Sequence, residues 1–176
     1  MIKPQALAEE LAKMKHLQII ADFACCAFVF LYCLGIDVPD IEAIKLVDNA
    51  INNKWIDADA TVWWQIWGEK LTGRHINVVF YDNPTEAQLK GLVNDTPVYF
   101  EYVGDDGQMH GHWYAFKRGK CTFDPLGKGN SKSIVKGRPT KMRIIQFLRI
   151  EALFIACLNN YTKIQNRCFI RNPRAN

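Results

Sequence analysis

The segment Gln18-Ile19-Ile20-Ala21-Asp22-Phe23-Ala24-Cys25-Cys26-Ala27-Phe28-Val29-Phe30-Leu31-Tyr32-Cys33-Leu34-Gly35 constrains the fold more than any other part of the chain. From Phe23 to Leu34 it carries no charge, so a helix built from it has no face that prefers water and the rest of the chain must enclose it. The run is too short, and too interrupted by small residues and Tyr32, to cross a membrane. Asp22 is the expected N-cap and Gly35 the expected C-cap. That placement puts Cys25 at the third helical position, among unpaired N–H groups at the positive end of the helix dipole, where a thiol pKa falls and the thiolate is favoured. The same residue also fits as a small hydrophobe in a core, and this segment alone leaves both readings open.

A chain of 176 residues fits one compact domain, expected over 1–150, with 151–176 a C-terminal extension packed on it. Cys25, Cys26, Cys33, Cys121, Cys157 and Cys168 fall mostly in apolar or strand-like stretches, without small-domain disulfide spacing or a C-x-x-C pair. This predicts a reducing compartment and argues against a zinc ribbon or thioredoxin-like site. The first fifteen residues alternate charged and apolar positions and lack a signal-peptide apolar region, so a cytoplasmic location is expected. A net charge of +4, spread along the chain with some excess at Lys128 to Arg143 and in the tail, reads as solvated surface. Neither nucleic acid nor membrane is expected as a partner.

Leu7, Leu11, Met14 and Leu17 predict a short amphipathic helix ending near His16. Pro39 and Asp40 start a helix through Ile41, Ile44, Val47 and Ile51, and Lys54 to Asp59 reads as a connection. A further helix should turn Val62, Ile66, Trp63 and Trp67 inward and end at Gly73. Strands are predicted at Ile76 to Phe80 and Thr96 to Val103, with a short helix over Ala87, Leu89 and Leu92 between them. His112 to Phe116 and Cys121 to Asp124 form an expected hairpin, and Met142 to Leu148 a last strand. Glu151 to Cys157 reads as a docked helix. Helices first and an antiparallel sheet afterwards make the fold class α+β.

Thiol, histidine and carboxylate follow in the order Cys25, His112, Asp124. A cysteine acyl-transfer site needs these three: a nucleophile, an imidazole that takes and returns its proton, and a group that orients the imidazole. Backbone N–H groups at the helix start and the Gln18 amide would serve a tetrahedral oxyanion. Across roughly residues 16 to 126 the sequence resembles the papain-like cysteine peptidases, nearest the branch that processes double-glycine bacteriocin leaders and related uncharacterised domains. The likeness rests on Gln18 before the Cys-led helix, on Gly111-His112-Trp113 opening a strand, and on Asp124-Pro125 closing the next. It implies a papain-like domain whose Cys helix packs on an antiparallel sheet, with Gln18 as oxyanion donor, Cys25 as nucleophile, His112 as base and Asp124 as its orienting residue. It implies hydrolysis of a peptide or amide bond in a peptide or protein, without cofactor or metal.

Two departures from that pattern keep alternatives open. Gln18 lies seven residues before Cys25 and eight before Cys26, where the family usually has six, and no glycine follows either thiol. Aligned backwards from Gly35, Asp22 falls near the nucleophile position, which would leave an inactive papain-like domain that binds a peptide or protein partner. Between the thiols, Cys25 is preferred because it lies nearer the helix start.

Trp113, beside the base, and Trp64, off the predicted inward face, are candidates for lining a substrate groove, and His110, read as a loop residue, for its mouth. His110 and His112 share one strand face, the spacing of a two-imidazole zinc site, but no further ligand cluster supports a metal. His16 and His75 have no partner evident in sequence. The loop Gly127 to Lys132 lacks the spacing of a phosphate-binding loop.

Overall fold

A computed structural model describes residues 11, 13–58, 61–127, 134 and 136–148. The C-terminal helix expected at Glu151 to Cys157, the extension 151–176 and Leu7 lie outside the described residues, as does most of the glycine- and lysine-rich loop.

The apolar segment forms two helices, α1 (Leu17–Phe23) and α2 (Cys25–Cys33), joined at Ala24. The predicted Asp22 cap is therefore incorrect: Asp22 is helical, and Ala24, which makes no side-chain cap, precedes α2. The chain stays helical because Ile20 and Ala24 are buried together, while Gln18 donates to Asp22 Oδ2 at 2.7 Å across one turn. Cys25 thus opens α2 as its first residue. At the other end Gly35, at φ 74°, closes the helix: its N–H donates to Tyr32 O and that of Ile36 to Leu31 O, the paired bonds of a Schellman motif.

Helix α3 (Asp40–Asn52) follows Pro39 and buries Ile41, Val47, Ala50 and Ile51, a 3.6-residue stripe. Helix α4 (Trp64–Thr72) ends on left-handed Gly73, as predicted, but its phase differs. Trp64, Trp67 and Gly68 face inward, and Trp63 and Ile66 remain 50% and 47% exposed. The Ile56–Val62 bridge fixes the entry to α4 and settles its rotation, a pairing that helical periodicity does not contain.

The sheet is antiparallel with order β1-β5-β2-β3-β4: β1 Ile76–Asp82, β2 Thr96–Val103, β3 Met109–Lys117, β4 Lys120–Phe123 and β5 Arg138–Phe147. Helix α5 (Glu86–Lys90) precedes β2, started by Thr85 in a reciprocal capping box with Gln88. Alternation along the strands separates two cores. Ile76, Val78, Trp113, Ile145 and Phe147 join the α1–α4 helices on one face; Val98, Phe100, Tyr114, Phe116 and Met142 meet Leu89 and Leu92 on the other.

Phe30 of α2 is the hub of the helical core, edge-on to Trp64 at 4.9 Å and tilted against Trp67 at 5.6 Å. Full burial of side chains of this class stabilises by about 1.5–3 kcal/mol each. Gly68 makes the approach possible, since a Cβ there would collide with Ile76 Cδ1 and Phe30 Cζ. The outcome is α+β, with α2 laid against β3 and β2. Among the described residues no helix is long and apolar enough to cross a membrane.

Candidate functional site

Strand β4 stops at Phe123, which pairs with Ala115, so the Trp113 backbone lies past the end of that ladder. The first turn of α2 reaches this uncovered stretch. Backbone groups of Trp113, of Cys26 and of Cys25 itself hydrogen-bond the Cys25 sulfur and favour the thiolate. Burial works against them and is the larger effect, and the Asp124 charge adds to it, so the Cys25 pKa lies above its ordinary value. This corrects the lowered thiol pKa expected from a helix start: the same packing that brings the thiol to β3 also takes it out of water. Cys26 is buried and its pKa is pushed up further, again by desolvation first. Cys25, Cys26, Cys33 and Cys121 are all free thiols.

His112 precedes Trp113, and its Nε2 donates to Asp124 Oδ1 at 3.2 Å. A carboxylate only accepts, so this bond keeps the proton on Nε2 and leaves the Nδ1 lone pair as the basic one. Asp124 follows β4 directly, and its Oδ1 also accepts from the Leu126 N–H at 2.9 Å, which fixes the carboxylate in a turn. Its second oxygen is buried without a hydrogen-bond partner among the described residues. Burial lowers the His112 pKa below the ordinary imidazole value, against the hydrogen bond and charge of Asp124, which raise it.

Cys25 borders a cavity of about 720 Å3. Its helical wall includes Asp22, Trp63, Trp64 and Glu69, and its sheet wall Phe80, Tyr99, Trp113, Lys141 and Arg143. Trp113 sits between Trp64 at 5.4 Å and Tyr99 at 5.2 Å. Gly111 lets the Tyr99 phenol lie across β3, since a Cβ there would overlap its ring. A second cavity of about 930 Å3 lies beside the Tyr32–Phe123 stack, with Asp124 and Pro125 in its wall. Cys25 therefore borders one hollow and Asp124 another.

No protein-family model, curated protein or solved structure matches the chain.

The structure brings Cys25, Trp113 and Trp64 to one cavity and ties His112 to Asp124. Trp64 lies on the inward face, contrary to expectation, because α4 begins with it and turns it toward Phe30. Gln18 is exposed, with its amide committed to Asp22; the extra helix α1 carries it there. His110 is on β3 rather than in a loop at the cleft mouth, paired opposite Tyr102, and its Nε2 meets both Asp106 oxygens at 3.0 Å. It is not among the residues that line the cavity beside Cys25. His75 has a carboxylate partner that the sequence did not reveal, Glu69 at 3.3 Å. Among the described residues no cluster of three or more His, Cys, Asp or Glu could hold a metal.

Sequence reading missed Tyr99, Lys141 and Arg143. Alternation places Lys141 and Arg143 on one face of β5, but only the insertion of β5 between β1 and β2 turns that face to Cys25.

Proposed function

We propose that the chain is a papain-like cysteine hydrolase that cleaves a peptide or amide bond through a Cys25 thioester. The observation that carries this reading is the Cys25 sulfur held at the β3 backbone one residue from His112, whose ring Asp124 fixes in the tautomer a general base requires. His112 Nδ1 takes the thiol proton as Sγ attacks the carbonyl carbon. The oxyanion is met by N–H groups at the start of α2. Collapse breaks the C–N bond, and the amine leaves with the proton from His112. Water, deprotonated by the same imidazole, then attacks the thioester, and the acid departs as Cys25 recovers its proton. The binding energy of a peptide in the cavity would offset the cost of ionising a half-buried thiol.

A second reading, a non-catalytic domain that binds a peptide or protein in the same cavity, is favoured by the raised Cys25 pKa and by the Gln18–Asp22 bond. A peptide library incubated with the protein and read by mass spectrometry separates the two. Hydrolysis predicts cleavage and a trapped acyl group on Cys25, both lost in Cys25→Ala and in His112→Ala with circular dichroism unchanged. Cleavage that survives in either variant would overturn the mechanism. Binding without cleavage, lost in Trp113→Ala, would establish the second reading.

A further inference from the structure

We propose that the cavity beside Cys25 recognises a carboxylate on its substrate through Arg143 and Lys141. The inference rests on the reading above, which takes this cavity as the substrate site, and adds the class of substrate it selects.

Arg143 is 9% exposed, an unusual depth for a guanidinium. The group stacks over Phe80 at 4.3 Å and faces the Trp113 ring at 5.6 Å, so two aromatic surfaces fix its plane. Its Nη1 donates to Met142 O at 3.0 Å and Tyr81 O at 3.4 Å, and its Nε is buried without a partner among the described residues. Those partners are carbonyls and ring faces; Asp82 acts on the charge through space only, and burial prevails over it in lowering the Arg143 pKa. Lys141, two residues earlier on the same strand face, extends a second cation over the Tyr99 ring at 5.2 Å.

The acids of the same cavity are already engaged on its helical side. Asp22 accepts from Gln18, and Glu69 accepts from the Ile76 N–H and pairs with His75. The sheet side thus holds a buried guanidinium with no ionic partner among the described residues, in a wall it shares with Cys25. A buried charge is costly until paired, and arginine held in one plane is the side chain best shaped to accept a carboxylate. Across the cavity, exposed Trp63 and Ile66 offer apolar contact to a residue beside that carboxylate. The carboxylate is either a Glu or Asp side chain or a free C-terminus.

The test uses N-acetylated hexapeptides in two series. One pairs Glu with Gln at each position in peptide amides, and the other pairs the C-terminal acid with the amide. Affinity is measured by titration calorimetry on Cys25→Ser protein, which does not turn over, and cleavage on the unaltered protein. The expected result is at least about tenfold tighter binding of the charged member in one series, which names the source, with the gap narrowing as salt is raised. Arg143→Met should reduce the gap to less than about twofold without weakening the neutral member. Lys141→Met, at an exposed position, should narrow the gap partly and covers the case in which the buried variant fails to fold. Equal affinity within both series, absence of binding by every charged member, or a gap unchanged in both variants would overturn the proposal. A gap without cleavage refutes the hydrolase and leaves the carboxylate site standing; cleavage without a gap does the reverse.

Discussion

His112 and Asp124 form a nearly dry pair, Nε2 donating to Oδ1 at 3.2 Å with side chains 12% and 3% exposed. The bond orients the imidazole, and the burial that makes it strong also disfavours the imidazolium. Two opposed influences of this kind make the pair a sensitive reporter of pH.

Stability should fall as the medium is acidified. The folded His112 pKa lies below the ordinary value of 6.5, so the unfolded chain takes up the proton first, and the contribution present above that pH is lost as pH falls through it toward the folded pKa. Urea midpoints measured from about pH 8 to pH 5 should decline on the acid side, and His112→Gln should flatten that decline. Asp124→Asn removes the group that raises the His112 pKa and should steepen it. Identical slopes in all three proteins would mean that His112 is not titrating in the pair.

Alkylation of Cys25 by iodoacetamide should keep accelerating through the ordinary thiol value of 9.0 and beyond rather than level off near neutrality, because burial raises its pKa. In His112→Ala the rate near neutral pH should drop several-fold while the alkaline limit stays unchanged, since the imidazole acts on the proton and not on a thiolate already formed. Mass-spectrometric mapping separates Cys25 from buried Cys26. An unaltered neutral rate in the variant would uncouple the imidazole from the thiol.

Gln18→Ala should reduce kcat/KM by less than about threefold, far below the roughly 10²–10³ lost with an essential oxyanion donor. Its amide is bonded to Asp22 on the exposed side of α1. A hundredfold loss would show that Gln18 leaves Asp22 during turnover.

The phase of α4 can be read from stability. Trp67→Ala should cost about 3–5 kcal/mol by opening a cavity beside Phe30, and Gly68→Ala about 1–3 kcal/mol by forcing Ile76 and Phe30 apart. Trp63→Ala, at an exposed position, should stay within about 0.5 kcal/mol. Chemical denaturation of the three variants provides the check, and a large loss for Trp63→Ala would restore the phase predicted from periodicity.

Several features could be read directly from the residues because their causes are local. Gly35 and Gly73 end helices by adopting a left-handed backbone, Pro39 and Asp40 begin one, and β-branched and aromatic runs specify Ile76–Asp82 and Thr96–Val103. His112 and Asp124 were also legible together, since a hairpin with a short turn brings the end of β4 back beside β3. Other features depended on contacts between distant segments. Asp22 is a sound cap by residue type, yet burial of Ile20 and Ala24 kept the chain helical through it and carried Gln18 to the surface. The Cys25 thiol has the helix position that favours ionisation, and its packing against β3 reversed the balance. Arg143 is an ordinary strand arginine in sequence; pairing of β5 with β1 stacked it on Phe80 and turned it to the cavity. Capping, turns and periodicity act over a few residues and are written in the sequence, whereas desolvation and charge pairing depend on which surfaces meet, and only the tertiary structure decided that.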